Sequence, residues 1–224
     1  MHRTLELAAR DVQIPAGVVA LPGTLTTAPE AHGVVLFAHG SGSSRFSPRN
    51  KLVAEALQAA GIGTLLFDLL TEREAQDRRN VFAIDLLAER LDHARRWLQE
   101  ETASQHPALG YFGASTGAAA ALVAEGDHPH SVAAIVSRGG RPDLAGEALA
   151  RVTAPTLLIV GGADSEVLEL NREALARLQG SKKLVVVPGA THLFEEPGTL
   201  EQVARLASEW FTTHLREGTT AHGT

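Results

Sequence analysis

Short apolar runs rich in β-branched residues recur along the chain at 33–38, 63–67, 108–112, 132–136, 156–160 and 183–187. Each is apolar almost throughout, where a half-exposed strand would alternate. That pattern means both faces are covered, as in a parallel sheet sandwiched between helices. The longer stretches between the runs carry helical periodicity. Residues 50–60 follow Ser47-Pro48, a helix start, and stop at Gly61. Residues 80–100 place Phe82, Ile84, Leu87, Leu91, Ala94 and Leu98 near one helical face. Further helices are predicted over 118–124, 166–178 and 199–215. Ahead of them, 12–15 and 18–22 read as an antiparallel strand pair turning at Ala16-Gly17. Repeating strand–helix units predict an α/β fold with a doubly wound, mostly parallel sheet. No internal repeat or linker divides the chain, so one domain is expected over 1–216, with a frayed tail over 217–224.

Composition narrows the functional classes. At 224 residues, 44% hydrophobic and 21% charged, the chain has the balance of an ordinary globular protein with one core. Aromatics are only 4%, so Leu, Val and Ala must fill that core. A net charge of −6 argues against nucleic acid or an anionic membrane surface as partner. The absence of cysteine excludes disulfides, cysteine–zinc sites and a thiolate nucleophile. Met1 to Glu6 lacks the apolar core of a signal peptide, and no apolar stretch nears the ~20 residues of a membrane span. A soluble, cytoplasmic protein is the expectation.

In an open parallel sheet, ligands bind at the carboxyl ends of the strands. The chemistry therefore turns on which polar residues follow each run. Gly113-Ala114-Ser115-Thr116-Gly117 joins the 108–112 run to the alanine-rich helix. Gly-x-Ser-x-Gly at a strand–helix junction is the pattern of a nucleophile elbow, in which a sharp turn exposes the serine hydroxyl. Asp164 follows the 156–160 run and His192 follows the 183–187 run. A serine hydroxyl is a weak nucleophile that needs a neighbouring base. Neutral His192 can take its proton and return it to the leaving group, while Asp164 orients the imidazole. The backbone N–H groups of Thr116 and of Ser41, in the His39-Gly40-Ser41 turn, are the candidate oxyanion-hole donors.

Each residue also has a plain structural reading. Ser115 and Asp164 could cap the helices they precede, with Asp143 and Glu166 as rival acids, and His192 could be a surface loop residue. His39 reads as a structural brace of the oxyanion loop. Gly40-Ser41-Gly42-Ser43-Ser44 lacks the Gly-Lys-Ser/Thr ending of a phosphate-binding loop. Asp127-His128-Pro129-His130 contains two possible metal ligands in a loop away from the ligand edge, and reads as solvated. Neither a metal nor a cofactor is expected.

On these residues, over about Gly33 to Phe211, the chain resembles the α/β-hydrolases, and within them the dienelactone hydrolase-like group. Phe37-Ala38-His39-Gly40-Ser41-Gly42-Ser43-Ser44-Arg45, the elbow, Ser137-Arg138-Gly139-Gly140-Arg141-Pro142-Asp143 and Gly189-Ala190-Thr191-His192-Leu193-Phe194 carry the likeness. The resemblance implies hydrolysis of a small-molecule ester or lactone through an acyl-enzyme. The enzymes naming the group use cysteine at the elbow, whereas this chain has Ser115, a departure that favours a general serine esterase. Lactone, dienelactone or thioester cleavage on the same site is the alternative chemistry, and a non-catalytic ligand-binding module the alternative class. Only 137–155 separate two strand runs where related folds insert a lid, so little or no lid and small or short-chain substrates are expected. Arg45 and Arg138 flank the predicted site, where they would bind a substrate carboxylate or brace loops against Asp68 or Asp143.

Overall fold

The structure is a computed structural model that describes residues 7–28, 30–102 and 106–220. Eight strands form one sheet: β1 (Ala8–Ala16), β2 (Val19–Thr27), β3 (Val34–Ala38), β4 (Gly63–Phe67), β5 (Leu109–Ala114), β6 (Ala134–Arg138), β7 (Thr156–Gly161) and β8 (Lys182–Val187). Their order is β1-β2-β4-β3-β5-β6-β7-β8. The first two strands pair antiparallel, β2 runs antiparallel to β4, and the remaining pairs are parallel. The helices are α1 (Pro48–Ala59), α2 (Glu72–Ala75), α3 (Arg78–Val81), α4 (Ile84–Glu101), α5 (Thr116–Asp127), α6 (Ser165–Arg177) and α7 (Thr199–Thr220).

The continuous apolar runs are explained by what covers the sheet. Successive strand side chains point to opposite faces. In β3, Val34, Leu36 and Ala38 join a core built with α4, α5 and α6, while Val35 and Phe37 join a second core built with α1 and α7. Few aromatics serve both layers, among them Tyr111 on one face and Phe37 stacked near Phe112 on the other. Helix α5 is buried from Thr116 to Gly126, and its alanines keep it slim enough to lie between the sheet and its neighbours.

Several elements depart from the sequence expectation. The hairpin turns at Gly17-Val18, because Ala16 already pairs with Val19. The predicted helix over 80–100 is broken at Ala83 (φ −79°, ψ 82°) into α3 and α4. Helix α2 was missed, although Thr71 and Glu74 form a reciprocal capping box. Residues Pro142–Arg151 form a 3-10 stretch whose Ala145, Ala148 and Leu149 are buried in the core. Helix α7 runs on to Thr220, past the expected start of a tail at 217, and residues 221–224 lie outside the described residues. Strand β6 lies two residues later than predicted. Gly113 and Ala114 of β5 pair with Ser137 and Arg138, and Ile159 of β7 pairs with Arg138. Two neighbouring strands thus draw polar residues into the ladder.

The start of α5 lies hard against the end of β3. A Cβ added at Gly117 would stand 2.1 Å from the Ala38 carbonyl oxygen, and one at Gly113 would stand 2.4 Å from the Ala118 Cα. Both obstacles are backbone, which cannot swing aside. Gly117→Ala should therefore cost roughly 2 kcal/mol or more. Urea denaturation would show it as a lowered midpoint at unchanged slope, and a wild-type midpoint would contradict the packing argument.

Candidate active site

The tight crossing of strand and helix sets the conformation of Ser115. Its backbone sits at φ 51°, ψ −119°, in a region that side-chain-bearing residues avoid. Three backbone bonds hold it there. The Ser115 N–H donates to the Arg138 carbonyl at 3.3 Å, and its own carbonyl accepts from Ala118 and Arg141, each at 3.1 Å. Ser115 occupies the N-cap position of α5, yet its side chain makes no capping bond. The hydroxyl is free for other chemistry.

Asp164 likewise precedes a helix, α6, without capping it through its side chain. Its Oδ2 lies 2.7 Å from His192 Nδ1. A carboxylate only accepts, so Nδ1 carries the hydrogen and Nε2 keeps its lone pair. Thr191 donates its N–H and hydroxyl to Glu196 at 3.0 and 2.7 Å, which ties down the loop bearing the histidine. The rival acids are engaged elsewhere or turned outward: Asp143 is gripped by Arg141 at 2.8 and 2.9 Å, and Glu166 is exposed. Gly139, adjacent to the residue that holds the Ser115 N–H, would place a Cβ 3.6 Å from His192 Nδ1. The elbow and the imidazole are thus neighbours. Among the described residues no hydrogen bond joins the Ser115 hydroxyl to His192.

The loop of Gly40 and Ser41 is braced by His39. The Leu69 N–H donates to His39 Nε2 at 3.1 Å, and His39 Nδ1 donates to the Gly40 carbonyl at 3.0 Å. This pattern requires a neutral ring. Burial pushes the His39 pKa below its ordinary value, opposed by the Gly40 carbonyl and the charge of Asp68. Gly40 reaches close enough that a Cβ there would stand 3.1 Å from the Ser115 Cβ. Ser41 differs from the expectation of a free donor: its N–H donates to Thr116 Oγ1 at 3.0 Å.

The two arginines part company. Arg45 donates its backbone N–H and Nη1 to Asp68 at 2.7 and 2.6 Å, so its charge is matched and it braces the loop. Arg138 ends β6 and does not follow it. It is buried at 7% exposure, and its Nε and Nη1 are sealed from solvent without a hydrogen-bond partner. A cleft of about 370 Å³ opens beside Ser41 and Thr116, walled by Leu69, Leu70, Val81 and Leu87. Asp127 pairs with Arg151 at 2.6 Å and His128 lies 3.6 Å from Asp92. Among the described residues no group of three or more His, Asp or Glu side chains is placed to hold a metal ion. Nor is any helix of the described residues long and apolar enough to cross a membrane.

A mostly parallel sheet with an elbow serine after its fifth strand, an acid after the seventh and a histidine after the eighth is the plan of an α/β hydrolase. The chain belongs to the α/β-hydrolase family, whose domain matches residues 31–209, and within it to the dienelactone hydrolase-like group. It is 56% identical to a dienelactone hydrolase from Anabaena variabilis, with a TM-score of 0.91 over 94% of this chain and 99% of that one. An esterase from Butyrivibrio proteoclasticus, Est1E, shares the fold at 16% identity, with a TM-score of 0.78 over 91% of this chain and 98% of that one. Relatives from two strains of Mycobacterium tuberculosis, 60% identical over 205 residues, bear the provisional name phosphoribosyl transferase. The match takes in 92% of this chain but only 46% of theirs, so the chain spans about half the length of those proteins.

The neutral His39 brace has a pH consequence. An unfolded chain protonates this imidazole below about 6.5, its ordinary value, while the folded protein resists protonation until lower pH. The unfolded state then binds more protons, so this contribution is complete above 6.5 and is lost as pH falls through the folded value. The charged groups facing the ring are Asp68 and its partner Arg45. His39→Gln, which keeps an acceptor for the Leu69 N–H but cannot titrate, should lose less stability than wild type on acidification. Denaturant midpoints of the two proteins at neutral and mildly acidic pH measure this, and parallel losses would contradict it.

Proposed function

We propose that this protein is a serine hydrolase cleaving small or short-chain carboxylic esters through an acyl-enzyme. The observations that support the reading are the 2.7 Å contact of Asp164 with His192 Nδ1, which turns Nε2 away from the acid, and the strained backbone of Ser115. His192 Nε2 removes the Ser115 hydroxyl proton as Oγ attacks the carbonyl carbon, and Asp164 stabilises the imidazolium that results. The tetrahedral oxygen accepts from the Thr116 N–H at the start of α5, where the helix favours negative charge, and from the Ser41 N–H in place of Thr116 Oγ1. The imidazolium returns its proton to the departing alkoxide. Water, deprotonated by the same nitrogen, then attacks the acyl-enzyme and releases the acid and Ser115. No step requires a metal or an organic cofactor.

The cleft of about 370 Å³, whose leucines share its walls with Arg45, Asp68 and Glu72, suits a short acyl group and is small for a long lipid chain. The name of the Anabaena variabilis protein favours one second reading, hydrolysis of a lactone on the same site, where the alkoxide stays tethered to the acyl group.

Ser115→Ala and His192→Ala should each lower kcat on a short p-nitrophenyl ester by ~10⁴-fold, with Asp164→Asn somewhat milder. A fluorophosphonate probe should label the wild type and spare Ser115→Ala. A well-folded wild type that neither turns over esters and lactones nor takes the probe would favour a ligand-binding module instead.

A further inference from the structure

The cleft beside Ser41 and Thr116 is built from two kinds of wall. Leu69, Leu70 and Leu87 are buried members of the main core. Ala75, ending α2, and Val81, ending α3, come instead from the short segment between β4 and α4. One-turn helices have little stability of their own, but these two are tied down. The Thr71–Glu74 capping box starts α2, and Asn80 Nδ2 donates to the Glu74 carbonyl at 3.0 Å. Arg90 of α4 donates Nη2 to the Glu74 carboxylate at 2.9 Å. Arg90 is itself buried, with Nη1 donating to the Ala16 carbonyl. The segment is therefore a fixed wall, and it holds the partly buried Val81 against the core.

The polar groups of the cleft give it a direction. Its walls include Ser41 and Thr116, the oxyanion donors of the proposed reaction, but neither His192 nor Asp164. A departing alkoxide takes its proton from His192, so the alcohol must lie on the histidine side of the tetrahedral carbon. The acyl chain is the substituent left for the cleft. The charged residues on the walls are Arg45, Asp68 and Glu72. Arg45 and Asp68 cancel in an ion pair at 2.6 Å, whereas Glu72 is exposed and makes no ion pair among the described residues. The surplus negative charge repels a carboxylate carried by the chain. We propose that the cleft is an acyl pocket for short, uncharged chains, in which Val81 gauges chain length and Glu72 turns away chains ending in a carboxylate. The substrate class is an ester of a short neutral acid, with its alcohol outside the cleft. Which half of the ester enters the cleft rests on the hydrolase reading; the preference for a neutral apolar chain does not.

p-Nitrophenyl acetate, butyrate, hexanoate and octanoate give a chain-length profile of kcat/KM. Val81→Ala should move its maximum to a longer chain and Val81→Phe to a shorter one. Opposite shifts cannot come from a shared loss of folding. Across methyl, butyl and phenyl butyrate, neither substitution should change the order of preference. Glu72→Gln should raise kcat/KM on p-nitrophenyl hemiglutarate, relative to the butyrate, by about two- to fivefold, the size of an exposed charge interaction. Added salt should shrink that gain. Unmoved maxima, a changed order among the alcohols, or an equal effect of Glu72→Gln on both esters would overturn the proposal.

Binding of butyramide, hexanamide and hexanoate to Ser115→Ala protein, followed by saturation-transfer NMR, separates this proposal from the hydrolase reading, because it needs no turnover. Hexanamide that binds more tightly than hexanoate, and is weakened by Val81→Phe, supports the pocket even if no ester is cleaved. Failure of both amides to bind, binding indifferent to Val81→Phe, or hexanoate held as tightly as hexanamide counts against it.

Discussion

The close approach of α5 to the end of β3 is the constraint on which the site depends. Gly117 and Gly113 let the helix begin almost on top of the strands, and no side chain fits into either gap. The chain can make that crossing only by forcing Ser115 to a positive φ, which lifts its hydroxyl away from its own helix. The strained backbone is held in place by a helix buried from Thr116 to Gly126 and by hydrogen bonds to Arg138 and Arg141. The same crossing brings Thr116 to the loop that follows β3, where its hydroxyl receives the Ser41 N–H.

Around this fixed point the remaining groups are held by short, local devices. Asp164 and Thr116 sit at helix starts set by the ends of β7 and β5. His192 rides on a loop tied by Thr191 and Glu196, and the oxyanion loop is tied to the end of β4 by the neutral ring of His39. Each tie uses a backbone N–H or carbonyl that would otherwise be left unpaired at the edge of the sheet. Loops positioned this way can carry polar chemistry while the sheet beneath them stays apolar on both faces.

Much of this was legible in the chain. The parallel strands declared themselves by continuous apolarity, and Ser115, Asp164 and His192 stood out as polar residues in the turns after three such runs. The end of β6 was not legible. Ser137 and Arg138 look like loop residues, and only the pairing offered by β5 and β7 draws them into the sheet, which is why the burial of Arg138 emerges from the structure alone. The capping box at Thr71 and Glu74 was readable as Thr-x-x-Glu and passed unused. The contact between Ser41 and Thr116 had no local signal, because the two residues are 75 positions apart and meet only through the sheet.

The chain spans about half the length of the mycobacterial relatives it matches. The proposed reaction turns on acylation of Ser115. Rapid quenching of the protein with a short p-nitrophenyl ester, followed by peptide mass mapping, tests that claim most directly. The account predicts an acyl adduct on Ser115 that forms with the burst of nitrophenol and decays at the rate of turnover. Turnover with no adduct at Ser115, or with the acyl group on another residue, would contradict it.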